Sequence, residues 1–388
     1  MAPLPPGAPL GLYLHIPFCA HICPYCDFNT YAGQDTLIPR YVAAVEREIA
    51  VQGRRDGGRQ ASTIFFGGGT PSLLPAVQIA RLVRACRDAY DLEPTAEVTL
   101  EANPNSVDEA YFAGLLEAGV NRLSIGVQTL QRRGLRQLGR QHEAEDALGA
   151  FVAARAAGFE NISLDLIFGW PGHDTEAWRQ DLEAVLSWPG GGPDHLSLYS
   201  LIVEPGTPLA EGVRRGIVIV PDDDATADLY ERAIDLLARV GWTHYEIANW
   251  ARTPALASRH NTIYWRNGEY AGFGAGAHGR IGGQRKMNHL LPLTYIEATA
   301  TCGEAASNSE ELDAVTAMGE TMMLGLRLLD EGVDDDAFLA RHGRTLTATF
   351  GETINDLAAI GMLERRPGNV RLTARGMMLA NDVCARFL

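Results

Sequence analysis

The feature that most constrains the fold of this chain is a repeated pair of segments, a short apolar run followed by a longer segment with helical periodicity. Six such runs occur in order: LGLYLHI, STIFFGGG, AEVTLEAN, NRLSIGVQ, NISLDLIFG and DHLSLYSLI. Strands that alternate with helices in this way form parallel βαβ units. The pattern therefore predicts an α/β fold, either an incomplete barrel or a doubly wound sheet, and both bind ligands at the carboxyl ends of their strands.

Chemically distinctive residues follow the six predicted strands. The strand ends carry, in order, a group of cysteines, the glycine run GGGTP, Glu101 with an Asn-Pro pair, Gln128, Asp165 and the segment YSLIVEPGTP. A single polar residue at a strand end is commonly a turn former or a helix cap. Because the carboxyl ends of parallel strands meet at one edge, six such ends in succession predict a binding site there.

Three of the six cysteines, Cys19, Cys23 and Cys26, lie in the stretch HIPFCAHICPYCDF. One interpretation is a structural zinc site with His15 or His21 as the fourth ligand, although structural zinc ligands usually come as two separated pairs. The other is a four-iron cluster, in which thiolates on one loop hold three irons and leave the fourth iron open. S-adenosylmethionine (SAM) can chelate an open iron through its amino and carboxylate groups, and a C-x3-C-x2-C group followed by a glycine run after the next strand is typical of that chemistry.

Seven motifs together resemble a known family. YLHIPFCAHICPYCDF, FFGGGTPSLL, EANP, SIGVQ, LGRQH, DLIFGWPG and YSLIVEPGTPL occur in the order and spacing of the radical SAM family that contains the oxygen-independent coproporphyrinogen III oxidases and their relatives. The resemblance covers roughly residues 10 to 388. It implies a partial (β/α)6 radical SAM barrel with a [4Fe-4S] cluster and SAM at its mouth, followed by a small C-terminal helical, winged-helix-like domain.

The same resemblance implies roles for individual residues. Cys19, Cys23 and Cys26 would bind the cluster. The residues expected near SAM are Tyr13, Tyr25, Gly68, Gly69, Thr70, Glu101, Gln128, Arg140 and Asp165. The glycines would let the backbone approach the methionyl amino group. The two carboxylates would accept hydrogen bonds from the cofactor, and the arginine would pair with the SAM carboxylate.

Two further features bear on the branch of the family. Coproporphyrinogen oxidases carry an additional cysteine two positions after the third cluster ligand, where this chain has Phe28, and this difference argues against that activity. The stretch HNTIYW, residues 260–265, matches the H-N-x-x-Y-W motif of the haem chaperone branch and implies His260 as a haem ligand. The alternative for His260 is a hydrogen-bonding role within the rim.

Two functions therefore stay open at this point. The first is a haem chaperone that holds haem and passes it to haem-dependent proteins of the respiratory chain. The second is a radical SAM enzyme, either an oxygen-independent coproporphyrinogen III oxidase or a related methyl- or methylene-transferring enzyme. Substrate-coupled turnover of SAM would favour the enzyme, and tight haem binding without it would favour the chaperone.

Three regions are expected along the chain. Residues 1–240 would form the radical SAM barrel, residues 241–303 a covering segment on the rim that carries the HNxxYW motif, and residues 304–388 a helical domain with a trailing hairpin. Within the covering segment, the stretch from SRHNTIYW to GFGAGAHG shows no helical periodicity. Helices followed by a hairpin resemble a winged helix, but residues 304–388 carry 14 acidic residues and 8 arginines. This excess and the net charge of −15 exclude nucleic acid as the main partner.

The sequence also bears on location. The opening MAPLPPGAPLG lacks the basic start and apolar run of an export signal. No stretch reaches the ~18 apolar residues of a membrane span, so we expect a cytoplasmic protein. Members of the resembled family can form homodimers and associate peripherally with membranes, but no amphipathic basic helix in this sequence requires membrane association.

Overall fold

The computed structural model describes residues 10–388; residues 1–9, on which the expectation about an export signal largely rests, lie outside the described part. All six predicted strands are present. They are β1 (Leu10–Ile16), β2 (Gln60–Gly68), β3 (Asp91–Ala102), β4 (Arg122–Gln128), β5 (Ile162–Phe168) and β6 (His195–Ser200). The helices that follow them are α1 (Ile38–Arg55), α2 (Ala76–Ala89), α3 (Glu109–Ala118), α4 (Arg132–Gln137), α5 (Ala144–Ala157), α6 (Thr175–Leu186), α7 (Pro208–Arg214) and α8 (Asp223–Arg239).

Residues at particular positions explain where several of these helices begin and end. Asp108, Asp174 and Asp222 precede α3, α6 and α8, and each side chain accepts a hydrogen bond from a backbone N–H of the first helical turn. Gly119 and Gly158 end α3 and α5 in the left-handed conformation, at φ 94° and 111°. The helices pack their apolar faces against strands whose side chains are almost entirely buried, and this packing forms the main core.

The residues that follow α8 add six strands and two helices to this unit. They are β7 (Thr243–Glu246), β8 (Asn249–Ala251), α9 (Arg259–Trp265), β9 (Tyr270–Phe273), β10 (His278–Ile281), β11 (Gln284–Asn288), α10 (Pro292–Cys302) and β12 (Ala306–Glu311). The twelve-stranded sheet has the order β12-β11-β10-β9-β1-β2-β3-β4-β5-β6-β8-β7. Strands β9 and β1 to β6 are parallel, and the strands at both edges are antiparallel. The expected α/β fold with six consecutive parallel strands is thus confirmed.

One expectation about the region after α8 was wrong. The segment from SRHNTIYW to GFGAGAHG was expected to be irregular covering structure on the rim, but it contains the short helix α9 and the strand β9. Strand β9 pairs in parallel with β1 and extends the sheet. Helix α9 lies against the first residues of β1 and β2, at the amino ends of the strands and so opposite the predicted site. Seven residues are too few for a periodicity argument to detect a helix.

The last part of the chain has its own small core. Its elements are α11 (Ala314–Gly325), β13 (Val333–Asp334), α12 (Asp335–His342), α13 (Leu346–Ala359), β14 (Leu363–Arg366), β15 (Asn369–Leu372), α14 (Ala374–Met378) and α15 (Ala380–Ala385). The Pro-Gly-Asn turn of the expected hairpin joins β14 to β15. Within residues 10–388, the helices are all too short or too polar to span a bilayer.

Candidate functional site

A cavity of about 420 Å³ opens at the carboxyl ends of the parallel strands. This volume lies within the ~300–1,000 Å³ of small-molecule sites. Eleven of the thirteen residues singled out from the sequence line it, namely Cys19, Cys23, Tyr25, Cys26, Gly68, Gly69, Thr70, Glu101, Gln128, Arg140 and Asp165. The other two, Tyr13 and His260, lie elsewhere. Five separate strand ends and one loop thus come together, although the role of each residue toward a cofactor stays a prediction.

The cysteine loop is held to the sheet at both of its ends. Residues Phe18–Cys19 pair with Tyr31–Ala32, and the imidazole Nε2 of His15 lies 3.0 Å from the carbonyl oxygen of Asn29. The Thr70 hydroxyl donates to the sulfur of Cys19 at 3.5 Å. These contacts fix the loop that carries the thiols above the end of β1.

The three thiols share one cavity. Cys19 is buried, whereas Cys23 and Cys26 are half-buried, and all three line the same cavity. Among residues 10–388, no three His, Cys, Asp or Glu side chains converge as ligands of one metal ion. Burial raises the pKa of Cys19 and of Cys26, and metal binding would oppose this because a coordinated thiol is deprotonated. A four-iron cluster would take one thiolate on each of three irons, and the assignment of these three thiols as its ligands stays a prediction.

The glycine run is needed where backbones approach each other. A Cβ at Gly68 would overlap the His15 imidazole, and Gly68 has a positive φ of 112°. A Cβ at Gly69 would lie 2.7 Å from the carbonyl oxygen of Phe18 and 2.8 Å from that of Ile16. The glycines therefore bring the end of β2 against the base of the cysteine loop, which sequence reasoning had attributed to contact with the cofactor alone.

Two carboxyl groups lie deep in the cavity. Burial, with a smaller contribution from Asp165, raises the pKa of Glu101 to about 8. Burial also raises the pKa of Asp165, against hydrogen bonds from Ser197 and Ser124 that lower it. The Gly68 N–H donates to Glu101 at 3.1 Å. Each carboxyl group retains acceptor capacity toward the cavity, as hydroxyl and ammonium donors of a bound cofactor would require.

Arg140 supplies positive charge in the same cavity as the two carboxyl groups. Its guanidinium donates to Asn103 Oδ1 at 3.1 Å, to the Gly126 carbonyl at 3.2 Å and to the sulfur of Cys23 at 3.7 Å. Gln128 ends β4 with a φ of 67°, a conformation that is rare for a residue other than glycine. Such strain is typical of functional sites, because only a well-packed surrounding structure maintains it.

Several cavity residues were missed from the sequence. Ser124 donates to both oxygens of Asp165 at 2.9 and 3.0 Å, and Asn103 holds Arg140. Tyr199 follows on β6 and also lines the cavity. The signal was available in Ser124, because it lies on the same inward face of β4 as Gln128, but a serine in a strand has no chemistry of its own to attract notice.

Tyr13 lies beneath the cavity. Its hydroxyl lies 2.9 Å from Nδ1 of His15, so it reaches the cysteine loop through that imidazole. Burial raises the pKa of Tyr13, and the phenol stays neutral. A direct contact with SAM stays a prediction for this residue.

His260 lies at the opposite end of the barrel interior. Its side chain is 1% exposed, Nδ1 lies 2.7 Å from the Thr63 hydroxyl and Nε2 lies 2.8 Å from the Tyr264 hydroxyl. Burial lowers the pKa of His260 to about 3, so the imidazole is neutral. The backbone N–H of His260 donates to Glu97 at 3.0 Å. The expected role as a haem ligand stays a prediction, and in this conformation both ring nitrogens are already engaged.

Comparisons with known proteins agree with the fold. The radical SAM superfamily model matches residues 13–185, and the HemN C-terminal domain model matches residues 312–379. The solved structure of coproporphyrinogen III oxidase (HemN) from Escherichia coli superposes with a TM-score of 0.83 over 98% of this chain and 90% of that chain. At 24% identity, this likeness supports the fold alone.

Relatives of known name align along nearly the whole chain. The heme chaperone HemW of Bacillus subtilis is 39% identical over 97% of this chain and 98% of its own length. The heme chaperone HemW of Mycobacterium tuberculosis is 39% identical over 100% of this chain and 97% of its own length. The mitochondrial radical S-adenosyl methionine domain-containing protein 1 of Bos taurus is 36% identical over 100% of this chain and 89% of its own. The chain therefore belongs to the radical SAM superfamily and, within it, to the HemW family.

Proposed function

We propose that this chain is a haem chaperone, which binds haem and delivers it to haem-dependent proteins, and that it carries a [4Fe-4S] cluster chelated by SAM. The observation that carries the proposal is its 39% identity to HemW proteins along essentially the full length of both chains. The cavity residues support the cofactor part, because three thiols, an arginine and two carboxyl groups line one small-molecule-sized space.

The residues of the cavity fit these cofactors in charge and in kind. Cys19, Cys23 and Cys26 would hold the cluster, and Arg140 would pair with the SAM carboxylate. Glu101 and Asp165 would accept from the hydroxyl and amino groups of the cofactor. When bound, the cluster supplies the electron that cleaves a carbon–sulfur bond of SAM. The protein's part is to position these groups and to keep them away from water.

The proposal is tested on protein whose cluster has been reconstituted without oxygen. Iron and sulfide content verify the cluster, a titration followed at the Soret band measures haem binding, and mixing with apomyoglobin measures transfer. Saturable binding followed by transfer supports the chaperone. A wild-type protein that holds its cluster but shows no saturable haem binding would rule the chaperone out.

Reaction products distinguish the enzymatic alternative from the chaperone function. Reduced, reconstituted protein is incubated with SAM and coproporphyrinogen III, and 5′-deoxyadenosine and decarboxylated porphyrinogen are quantified. SAM cleavage that depends on the porphyrinogen would support the radical enzyme. Phe28, at the position of the additional oxidase cysteine, leads us to expect no decarboxylation.

The finer points about partners follow from the same proposal. We infer that the acceptors are haem proteins of the respiratory chain, some of them in membranes. We also infer that the protein works in the cytoplasm and docks to membranes peripherally. Its oligomeric state in that role is either a homodimer or a monomer. Light scattering on the purified protein measures its mass, and sedimentation with vesicles of respiratory-membrane lipids measures docking.

A further inference from the structure

Polar side chains lie in a line through the interior of the barrel, from the cofactor cavity toward α9. Asp165 lines the cavity, and Ser163 lies two residues earlier on the same face of β5. His195 on β6 pairs with Ser163 in the sheet, and Tyr245 lies on β7. Ser163 and His195 are buried. Closed (β/α)8 barrels fill this space with branched apolar side chains, so polar groups buried here need partners.

Hydrogen-bond distances join these side chains to one another. The Ser163 hydroxyl lies 3.4 Å from Oδ1 of Asp165 and 2.8 Å from Nδ1 of His195. Nε2 of His195 lies 2.9 Å from the Tyr245 hydroxyl, whose oxygen accepts the backbone N–H of Ser258 at 3.3 Å. Ser258 is the residue before α9, and its side chain accepts a hydrogen bond from the first turn of that helix. We name these five residues the His195 bridge.

Both ends of the His195 bridge fix the direction of its hydrogen bonds. An ionised carboxylate only accepts, so the Ser163 hydroxyl donates to Asp165 and its oxygen accepts from Nδ1–H of His195. Burial lowers the pKa of His195, so the imidazole is neutral and its Nε2 accepts. The Tyr245 hydroxyl then donates to Nε2, and the N–H of Ser258 can only donate to Tyr245. One tautomer of His195 thus satisfies all four bonds, and every donor points toward Asp165.

We propose that the His195 bridge couples cofactor binding at Asp165 to the seating of α9 on the barrel. His195, Ser163 and Tyr245 are positioning residues, because none of them lines the cavity. This inference rests on the proposed binding of SAM and concerns the regulation of that site. A cofactor that donates hydrogen bonds to Asp165 holds the carboxylate in place and favours its ionised form. That form is the acceptor that the His195 bridge requires, so cofactor binding strengthens the bonds that follow, as far as Ser258. By linkage, a firmly seated α9 raises the affinity for the cofactor.

The other anchors of α9 do not reach the cavity. The Glu97 carboxylate accepts the N–H groups of Arg259 and His260, both at 3.0 Å, and the Thr63 hydroxyl lies 2.7 Å from Nδ1 of His260. Neither Glu97 nor Thr63 lines the cavity. These bonds hold α9 whether or not a cofactor is bound, so they stabilise the helix without coupling it to the cofactor site.

The test measures amide hydrogen exchange in α9, residues 259–265, with and without SAM. The protein carries a reconstituted cluster that is kept oxidised, so that SAM binds but is not cleaved. In wild type we expect SAM to slow exchange in α9 by about two- to tenfold, the effect of one hydrogen bond on local opening. Exchange in α12, which belongs to the C-terminal domain, should change far less.

Two variants each remove one link of the His195 bridge without altering a cavity residue. In Tyr245→Phe and in Ser163→Ala, SAM should no longer slow exchange in α9, and SAM affinity should fall by about two- to tenfold. The double variant should behave like either single variant, because one missing link already interrupts the bridge. The two residues lie on different strands, so a variant that fails to fold leaves the other to decide.

Two controls separate coupling from stability. Thr63→Val removes the hydroxyl that contacts His260, so exchange in α9 should be faster while SAM still slows it by the wild-type factor. Tyr230→Phe removes a hydroxyl that donates to the carbonyl of Ile247 at 2.6 Å, outside the His195 bridge, and it should leave the SAM effect on α9 unchanged.

The outcomes distinguish the coupling from the function on which it rests. If wild type binds SAM but exchange in α9 does not change, the coupling is refuted and SAM binding stands. If Tyr245→Phe and Ser163→Ala both keep the full SAM effect on α9, the His195 bridge does not carry it. If wild type with an intact cluster does not bind SAM, the proposed cofactor and the coupling both fall.

Discussion

At the scale of single residues, the chemistry of the site depends on where a few titratable groups are buried. The thiols, Glu101, Asp165 and Arg140 share one cavity, so a change in the ionisation of one alters its neighbours. His260 is a contrasting case, because the same burial that shifts its pKa also removes it from any ligand in this conformation. Residue type alone does not separate these two cases.

We predict that Cys19→Ala abolishes the cluster while the barrel stays folded. Three thiols for three irons leave no spare ligand, and Cys19 is the most buried of them. The measurement is iron and sulfide content after anaerobic reconstitution, with circular dichroism to verify folding. Cys302→Ala serves as the control, because Cys302 is exposed and does not line the cavity. A brown Cys19→Ala protein with full iron content would refute the assignment.

We predict that SAM affinity rises with pH. The pKa of Glu101 is raised to about 8 by burial, so at lower pH its carboxyl group is mostly protonated and cannot accept both hydrogen bonds of a carboxylate. Affinity should therefore increase by up to about tenfold per pH unit from pH 6 to pH 8 and then level off. Equilibrium dialysis of the cluster-loaded protein measures this. Glu101→Gln should bind more weakly with a flatter pH profile, and an unchanged profile would contradict the assignment.

We predict that His260→Ala acts mainly on stability. It leaves a cavity and an unpartnered buried Thr63 hydroxyl, which together should lower the free energy of unfolding by about 2–3 kcal/mol. The pKa of His260 is lowered to about 3, so as pH falls below about 6.5 the unfolded chain takes up a proton that the folded chain does not. The stability that neutral His260 contributes is thus lost as pH falls. The difference in free energy of unfolding between wild type and His260→Ala should therefore narrow. Urea titrations at several pH values measure it.

At the scale of elements, the cysteine loop depends on a turn far away in sequence. The turn after β9, residues 274–277, is anchored to α1, because Gly274 N–H donates to Glu48 at 2.9 Å and Ala275 N–H donates to the Tyr41 hydroxyl at 2.7 Å. The Asn29 amide on the cysteine loop donates to the carbonyl of Ala275 at 3.1 Å. Helix α1, strand β9 and the loop therefore form one hydrogen-bonded unit.

We predict that Tyr41→Phe destabilises this unit. The Tyr41 hydroxyl donates to the His15 carbonyl at 2.8 Å as well as accepting from Ala275, and its loss leaves two buried backbone groups unsatisfied. The cost should be about 2–3 kcal/mol in the free energy of unfolding, with faster loss of iron from the cluster. Tyr111→Phe is the matched control, because that hydroxyl makes one bond, to the carbonyl of Leu74. Equal costs for both variants would contradict the proposed anchor.

At the scale of the whole molecule, the HNTIYW helix connects the barrel to the C-terminal domain. Its His260 and Tyr264 lie inside the barrel, whereas Trp265 packs against Arg327 of the domain, with the guanidinium 4.3 Å from the ring centre. Arg327 also pairs with the fully buried Glu246 at 3.2 Å. Arg327 therefore contacts the barrel unit through both an aromatic ring and a carboxylate, and further pairs such as Arg266 with Glu331 also cross between the two units.

We predict that Arg327→Ala weakens the contact between the barrel and the C-terminal domain. Removal of one partner leaves Glu246 buried without its charge partner, and breaking such a pair should cost about 3 kcal/mol. Burial already raises the pKa of Glu246, and Arg327 lowers it, so the variant should take up a proton there. Thermal unfolding and limited proteolysis between the units measure the effect. Arg214→Ala, which breaks an exposed pair with Glu211, should cost far less.

Local sequence patterns were enough to predict most of the fold and the location of most candidate site residues. Six apolar runs with helices between them specify parallel strands, and parallel strands bring their carboxyl ends to one edge, so eleven of thirteen singled-out residues could be placed in one cavity. The three cysteines are close together in the sequence, so a single loop is enough to place their thiols in the same cavity. These inferences succeed because they depend on local periodicity and on a topological rule.

Sequence patterns did not predict the position of the HNTIYW segment, the partners of Tyr13 or the exposure of individual histidines. These depend on contacts between residues far apart in sequence, such as His260 with Thr63, which no local pattern encodes. A histidine in a motif and a histidine in a loop are chemically alike in the sequence. Burial and hydrogen bonding differ between His260 and His21 because one helix packs against the amino ends of the strands and one loop stays open at their carboxyl ends.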